Sequence, residues 1–121
     1  MNTLITICQI IIALGIFNVW LLRLEKSTIW RGGEANNMQE EFAVYGLPAW
    51  LMKGVGGLKL ILAVCLLLGV FLPVIVQPAA VGMAFLMLGA VSMHVKVGDQ
   101  LRKSLPAICM LLLSLVVAFA Q

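Results

Sequence analysis

The chain has 121 residues, of which 63% are hydrophobic and only 11% charged, and its formal net charge is +3. Soluble globular domains carry about 25% charged residues, so this composition excludes a water-covered surface and leaves lipid to cover most of the chain. The basic excess lies in short segments beside apolar runs, which is the pattern of a positive-inside bias and argues against nucleic-acid binding.

One domain over residues 1–121 is expected at this length. The first apolar run, 3–22, covers roughly 30 Å as a helix, the hydrocarbon thickness of a bilayer. The Met1 end carries no basic n-region and no small-residue cleavage site follows, so a retained span is expected in preference to a cleaved signal peptide. Trp20 and Arg23 close the run as an aromatic and a cation at an interface. Inside it, Gln9 suits an interhelical hydrogen bond, and Asn18 lies on the charged side, within reach of Lys59 or His94 across a bundle.

A polar loop, 23–47, follows. Its charges at Arg23, Glu25, Lys26, Arg31, Glu34, Glu40 and Glu41 nearly cancel, and Gly32-Gly33 and Asn36-Asn37 mark turns. Met38, Phe42 and Tyr45 fall at i, i+4 and i+7, which predicts a short helix on the membrane surface with all three on one side.

The second span is predicted over 49–72, after Pro48, with Trp50 anchoring its start. Its first half holds Lys53, Gly54, Gly56, Gly57 and Lys59. Lys59 lies about 13 Å deeper than Trp50 along the helix axis. A lysine near a helix centre costs about 2.5–3.5 kcal/mol on insertion scales. Two readings stand for it. The side chain snorkels toward the charged face, or it is a buried cation that faces the bundle and meets a polar ligand or side chain.

Pro73 to Gln77 forms a tight uncharged hairpin, and the third span is predicted over 78–97 with Pro78 in its first helical position. Gly82, Gly89 and Ala90 offer small surfaces for helix contact. Met83, Met87, Ala90 and His94 share a stripe, read as a packed face ending in an interfacial histidine. One histidine with scattered methionines gives little support for haem, and no ligand cluster suits zinc, so no metal site is expected. The last apolar run, from Pro106, covers only roughly 24 Å. Its helix is therefore predicted over 99–120, with Asp99 as its N-cap and Pro106 kinking it or sitting in its first turns. Asp99 also suits charge pairing with Arg102 and Lys103. Cys8, Cys65 and Cys109 lie in apolar runs without a CxxC, and read as buried small hydrophobes in preference to a dithiol redox centre.

These elements predict an all-α membrane protein, a four-transmembrane-helix up-down bundle. Both termini and the Pro73 hairpin share one uncharged face. The other face carries Lys53, Lys96, Arg102 and Lys103 together with Arg23, Lys26 and Arg31. The Lys/Arg bias predicts the charged loops in the cytoplasm and both termini outside. Asn18, Lys59, His94 and Asp99 converge in the charged half as a candidate ligand pocket. No hydrolase triad, phosphate loop or nucleotide fingerprint is present, and the sequence names no reaction.

Several segments carry a family resemblance: Phe42-Ala-Val-Tyr45-Gly46-Leu47-Pro48-Ala-Trp50, Gly56-Gly57-Leu58-Lys59-Leu60, Leu72-Pro73, Pro106, and above all Gly89-Ala90-Val-Ser-Met-His94-Val-Lys-Val-Gly98-Asp99. Over essentially its whole length the chain resembles the DoxX-like membrane proteins. The resemblance implies a four-helix membrane protein. It points to an accessory subunit of a membrane redox complex, as in thiosulfate:quinone oxidoreductase or thiol-stress complexes, with a quinone as candidate cofactor. The segment from His94 to Lys103 is also similar to one in eukaryotic nicotinic-receptor assembly chaperones. The bundle resembles that of vitamin K epoxide reductase, whose CxxC this chain lacks. Many relatives carry a glutamate where this chain has Lys59, so a role of that carboxylate does not transfer. Two alternatives stay open: a non-catalytic assembly factor or scaffold, and a small lipid- or solute-binding transporter. The expected partners are the lipid bilayer and another membrane protein or a second copy of the chain.

Overall fold

Inside a bilayer every backbone polar group has to be satisfied internally, and each long apolar run of this chain meets that demand as a helix. A computed structural model describes residues 2–22, 33 and 35–119, all helix and turn. Among the described residues, four helical segments are long and apolar enough to cross a membrane: Thr3–Leu22, Trp50–Leu68, Pro73–Lys96 and Leu101–Phe119. The protein is a multi-pass membrane protein. The expected loop charges at Arg23, Glu25, Lys26, Arg31 and Glu34, and the turn residue Gly32, lie outside the described residues.

Helix α1 is Asn2–Phe17, and it passes without a break into a π-helical turn, Asn18–Leu22. Helix α2, Met38–Val44, opens with a reciprocal cap. Asn37 accepts from the Glu40 N–H at 2.8 Å, and the Glu40 carboxylate accepts from the Asn37 amide at 3.0 Å. Met38, Phe42 and Tyr45 do share one side, and that side is buried against the bundle. Helix α3 is Ala49–Leu68, so it ends short of the expected Leu72. A Cβ at Gly69 would overlap the Val76 side chain, and the chain turns there to start the hairpin. A single 3₁₀ turn, Pro73–Ile75, leads into α4, Val76–Lys96. Pro78 therefore stands within the first turn and not at its first position. The missing N–H costs nothing there, because the early N–H groups of a helix have no intrahelical acceptor.

Helix α5 is Leu101–Phe119, with Pro106 inside it. It begins two residues later than expected, because the Asp99 carboxylate is used elsewhere and Asp99 does not cap the helix. The four long helices form a ring in which α1 touches α3 and α5, and α4 touches α3 and α5. Two amides pin this antiparallel arrangement. Gln9 donates to the Leu66 carbonyl at 2.8 Å, and Gln77 donates to the Ala118 carbonyl at 2.9 Å. The hairpin half of the bundle is closely packed by small and branched residues, among them Ile12, Ala13, Ala63, Leu66, Ala80, Val117 and Ala118. The three cysteines are free: Cys8 is buried, Cys65 half-buried, and Cys109 exposed on α5 instead of buried as expected.

Candidate functional site

The loop half of the bundle is hollow. A cavity of about 690 Å3 lies there, walled by residues of α1, its π turn, α2, α3, α4 and α5. Most of its wall is apolar: Ile16, Val19, Met38, Phe42, Leu51, Val55, Leu86, Met87 and Met110 all contribute. Its polar lining comes from Asn18, Glu41, Tyr45, Lys59, His94 and Lys103. Asn18, Phe85 and Gly89 line the cavity and are also exposed, Phe85 at 71%, so it opens sideways between helices toward the bilayer. The π turn puts Asn18 and Trp20 on this wall. Such turns recur at functional sites because the extra residue re-aims the side chains around it.

Lys59 is buried on the α3 wall, 8% exposed. Its Nζ stands 5.4 Å from the centroid of the Trp20 ring, in cation–π range, and the Glu41 carboxylate attracts it electrostatically. The charge thus stays inside the bundle, and the groups found beside it are Trp20 and Glu41. Trp20 is itself a correction: it is 7% exposed and packs in the core, against Phe42 at 6.2 Å between centroids, where an interface anchor was expected. Gly56 permits this, since a Cβ there would overlap the Trp20 ring. Of the glycines read as contact surfaces, Gly82 meets Leu62 while Gly89 faces open space, as does Gly57.

The His94–Gly98–Asp99 segment owes its geometry to the end of α4. The Gly98 N–H bonds the Val95 carbonyl at 3.1 Å and the Asp99 N–H bonds the His94 carbonyl at 3.0 Å. This is a Schellman ending with Gly98 at φ +73°, a conformation that favours glycine. It folds Asp99 back onto the last turn, where its Oδ2 lies 2.8 Å from His94 Nδ1. Asp99 Oδ1 accepts from the Gly33 N–H at 2.9 Å and lies 3.9 Å from Lys103 Nζ. Lys103 also donates to the Gly33 carbonyl. Burial of the Asp99 side chain, 6% exposed, desolvates the carboxylate and pushes its pKa up. The hydrogen bonds from His94 and Gly33 and the charges of His94 and Lys103 outweigh that, and hold the carboxyl below its ordinary range.

An ionised Asp99 can only accept, so His94 Nδ1–H is the donor to it. In the neutral ring Nε2 is then the acceptor, and the Tyr45 hydroxyl stands 3.4 Å from it. Helix α2 ends in a second Schellman motif, with Gly46 at φ +80° and the Leu47 N–H on the Phe42 carbonyl at 2.8 Å. Lys96 fastens that end by donating to the Tyr45 carbonyl at 2.8 Å.

Of the four residues expected to form a pocket, Asn18, Lys59 and His94 line one cavity. Asp99 does not line the cavity but touches two residues that do, His94 at 2.8 Å and Lys103 at 3.9 Å. Sequence reasoning missed Glu41 and Tyr45 as site residues. The signal was a carboxylate three residues after Met38 and beside Phe42, on the apolar side of a short helix. The sequence profile of the DoxX-like family matches residues 26–118. No curated protein and no solved structure compared with the chain matches it.

Proposed function

The chain belongs to the DoxX-like family, and on that basis we propose that it is an accessory membrane subunit of a quinone-linked redox complex, with the cavity as the site of a quinone-type amphiphile. The observation that carries this reading is Lys59 on the cavity wall. A lysine at this depth costs about 2.5–3.5 kcal/mol on insertion scales, and a leucine would cost nothing. A charged donor in a mostly apolar cavity suits a membrane-soluble molecule whose head carries an acceptor oxygen. The volume falls within the usual range of small-molecule sites, and apolar walls with few polar groups are their usual chemistry. The sideways opening at Phe85 and Gly89 suits a ligand that arrives from lipid. The loop face is assigned to the cytoplasm from its lysines and arginines.

The test is mass spectrometry of the lipid extract that co-purifies with the protein in mild detergent. A quinone enriched over the bulk membrane extract is expected with the wild type. At least about a tenfold loss is expected in Lys59→Leu, the equivalent of about 1.4 kcal/mol. A larger membrane protein co-purifying with no quinone would overturn this reading in favour of an assembly factor or scaffold.

A further inference from the structure

The Tyr45–His94–Asp99 chain is more than a clasp for a turn. A clasp needs only the bond between His94 Nδ1 and Asp99. Here the second ring nitrogen is used as well, by a hydroxyl, and both Tyr45 and His94 line the cavity. At the far end Asp99, itself 6% exposed, stands in the turn before α5 between the exposed Gly98 and Gln100. With the ring neutral, the donors all point one way, from the Tyr45 hydroxyl to Nε2 and from Nδ1–H to Asp99 Oδ2. We propose that Tyr45, His94 and Asp99 carry protons between a ligand hydroxyl in the cavity and water at the loop face. This rests on the reading of the cavity as an amphiphile site.

The step is acid–base only. The ligand O–H breaks as a new Tyr45 O–H forms, and the proton Tyr45 held passes to His94 Nε2. The Nδ1 proton moves to Asp99 Oδ2, and the Asp99 carboxyl releases it to water. The ligand hydroxyl has become its anion, one proton has appeared at the loop face, and no electron has moved. The reverse order delivers a proton. A second proton in the same direction requires the imidazole to regain its first tautomer, so the chain passes one proton at a time. Among the described residues, the charged groups around the path are Glu41 from α2, Lys59 from α3, Lys96 at the end of α4 and Lys103 from α5. Lys96 holds the Tyr45 backbone and Lys103 holds Gly33, so two of the four fix the ends of the path.

The probe is a 2-hydroxy-3-alkyl-1,4-naphthoquinone, whose colour reports ionisation of its hydroxyl, bound to the whole protein in lipid nanodiscs. After a laser-induced pH jump at saturating probe, ionisation of the bound probe is expected to be at least about tenfold slower in His94→Gln and Tyr45→Phe than in the wild type. Tyr45→Phe keeps the ring that packs on Phe42 and removes only the hydroxyl, so misfolding cannot produce its result. Unchanged rates in both variants with the probe bound overturn the relay and leave the binding reading standing. No saturable binding of the probe to the wild type overturns both.

Discussion

The Trp20 ring rests against α3 because position 56 has no side chain, and the Lys59 amine rests over that ring. Two substitutions separate the contributions. Gly56→Ala gains about 1 kcal/mol of helix propensity but forces the ring aside, and overpacking of this kind costs about 1–3 kcal/mol. A lowered Tm and weaker amphiphile binding are expected. Gly57→Ala meets nothing within contact distance, so only the propensity gain remains, and its Tm should equal or exceed that of the wild type. Thermal unfolding of the pair in one detergent checks this, and equal Tm values for the two variants would contradict the account of Gly56. Lys59 could be singled out from the sequence because a charge in an apolar run is expensive wherever it points. The side of the helix that Trp20 faces could not be, because an aromatic near a span end looks the same whether it anchors at the interface or packs inside.

Glycine endings shape the elements around the cavity, and both glycines lie in the segments that carry the family resemblance. Gly46 ends α2 and Gly98 ends α4, and each turns the next residue back onto its own helix. The spacing of His94 and Asp99 is thus a helix ending that brings a carboxylate to a ring nitrogen. A Schellman ending cannot be distinguished in sequence from an ordinary N-cap for the following helix, which is why Asp99 was assigned to α5. A carboxyl held below its ordinary value of 3.8 stabilises the fold fully above that value and loses its contribution as pH falls through the lower folded value. Asp99→Asn should therefore lower the Tm throughout about pH 5 to 8, with the gap closing only below about pH 4. A gap that closes between pH 5 and 7 would show that the Asp99 carboxylate is not held in this way.

Across the whole molecule, the four apolar runs and the uncharged hairpin were legible because helix length and hydropathy are local properties. The division into a solid half and a hollow half was not, because it depends on which side chains meet across helices. The assigned orientation predicts that, in a cysteine-free background, Gln100→Cys in the loop face is labelled only from the cytoplasmic side of the membrane. Val74→Cys, exposed in the hairpin, should be labelled only from outside. The opposite pattern in sealed vesicles would invert the protein. The solid half has a consequence for the two leaflets. It is filled by side chains at that depth, so the cavity is reached from the midplane or the loop side of it. A molecule dissolved in the opposite leaflet has to reach the midplane before it can be captured. For an amphiphile that crosses slowly, occupancy would follow the composition of one monolayer, and the protein would report on that leaflet while remaining blind to the other.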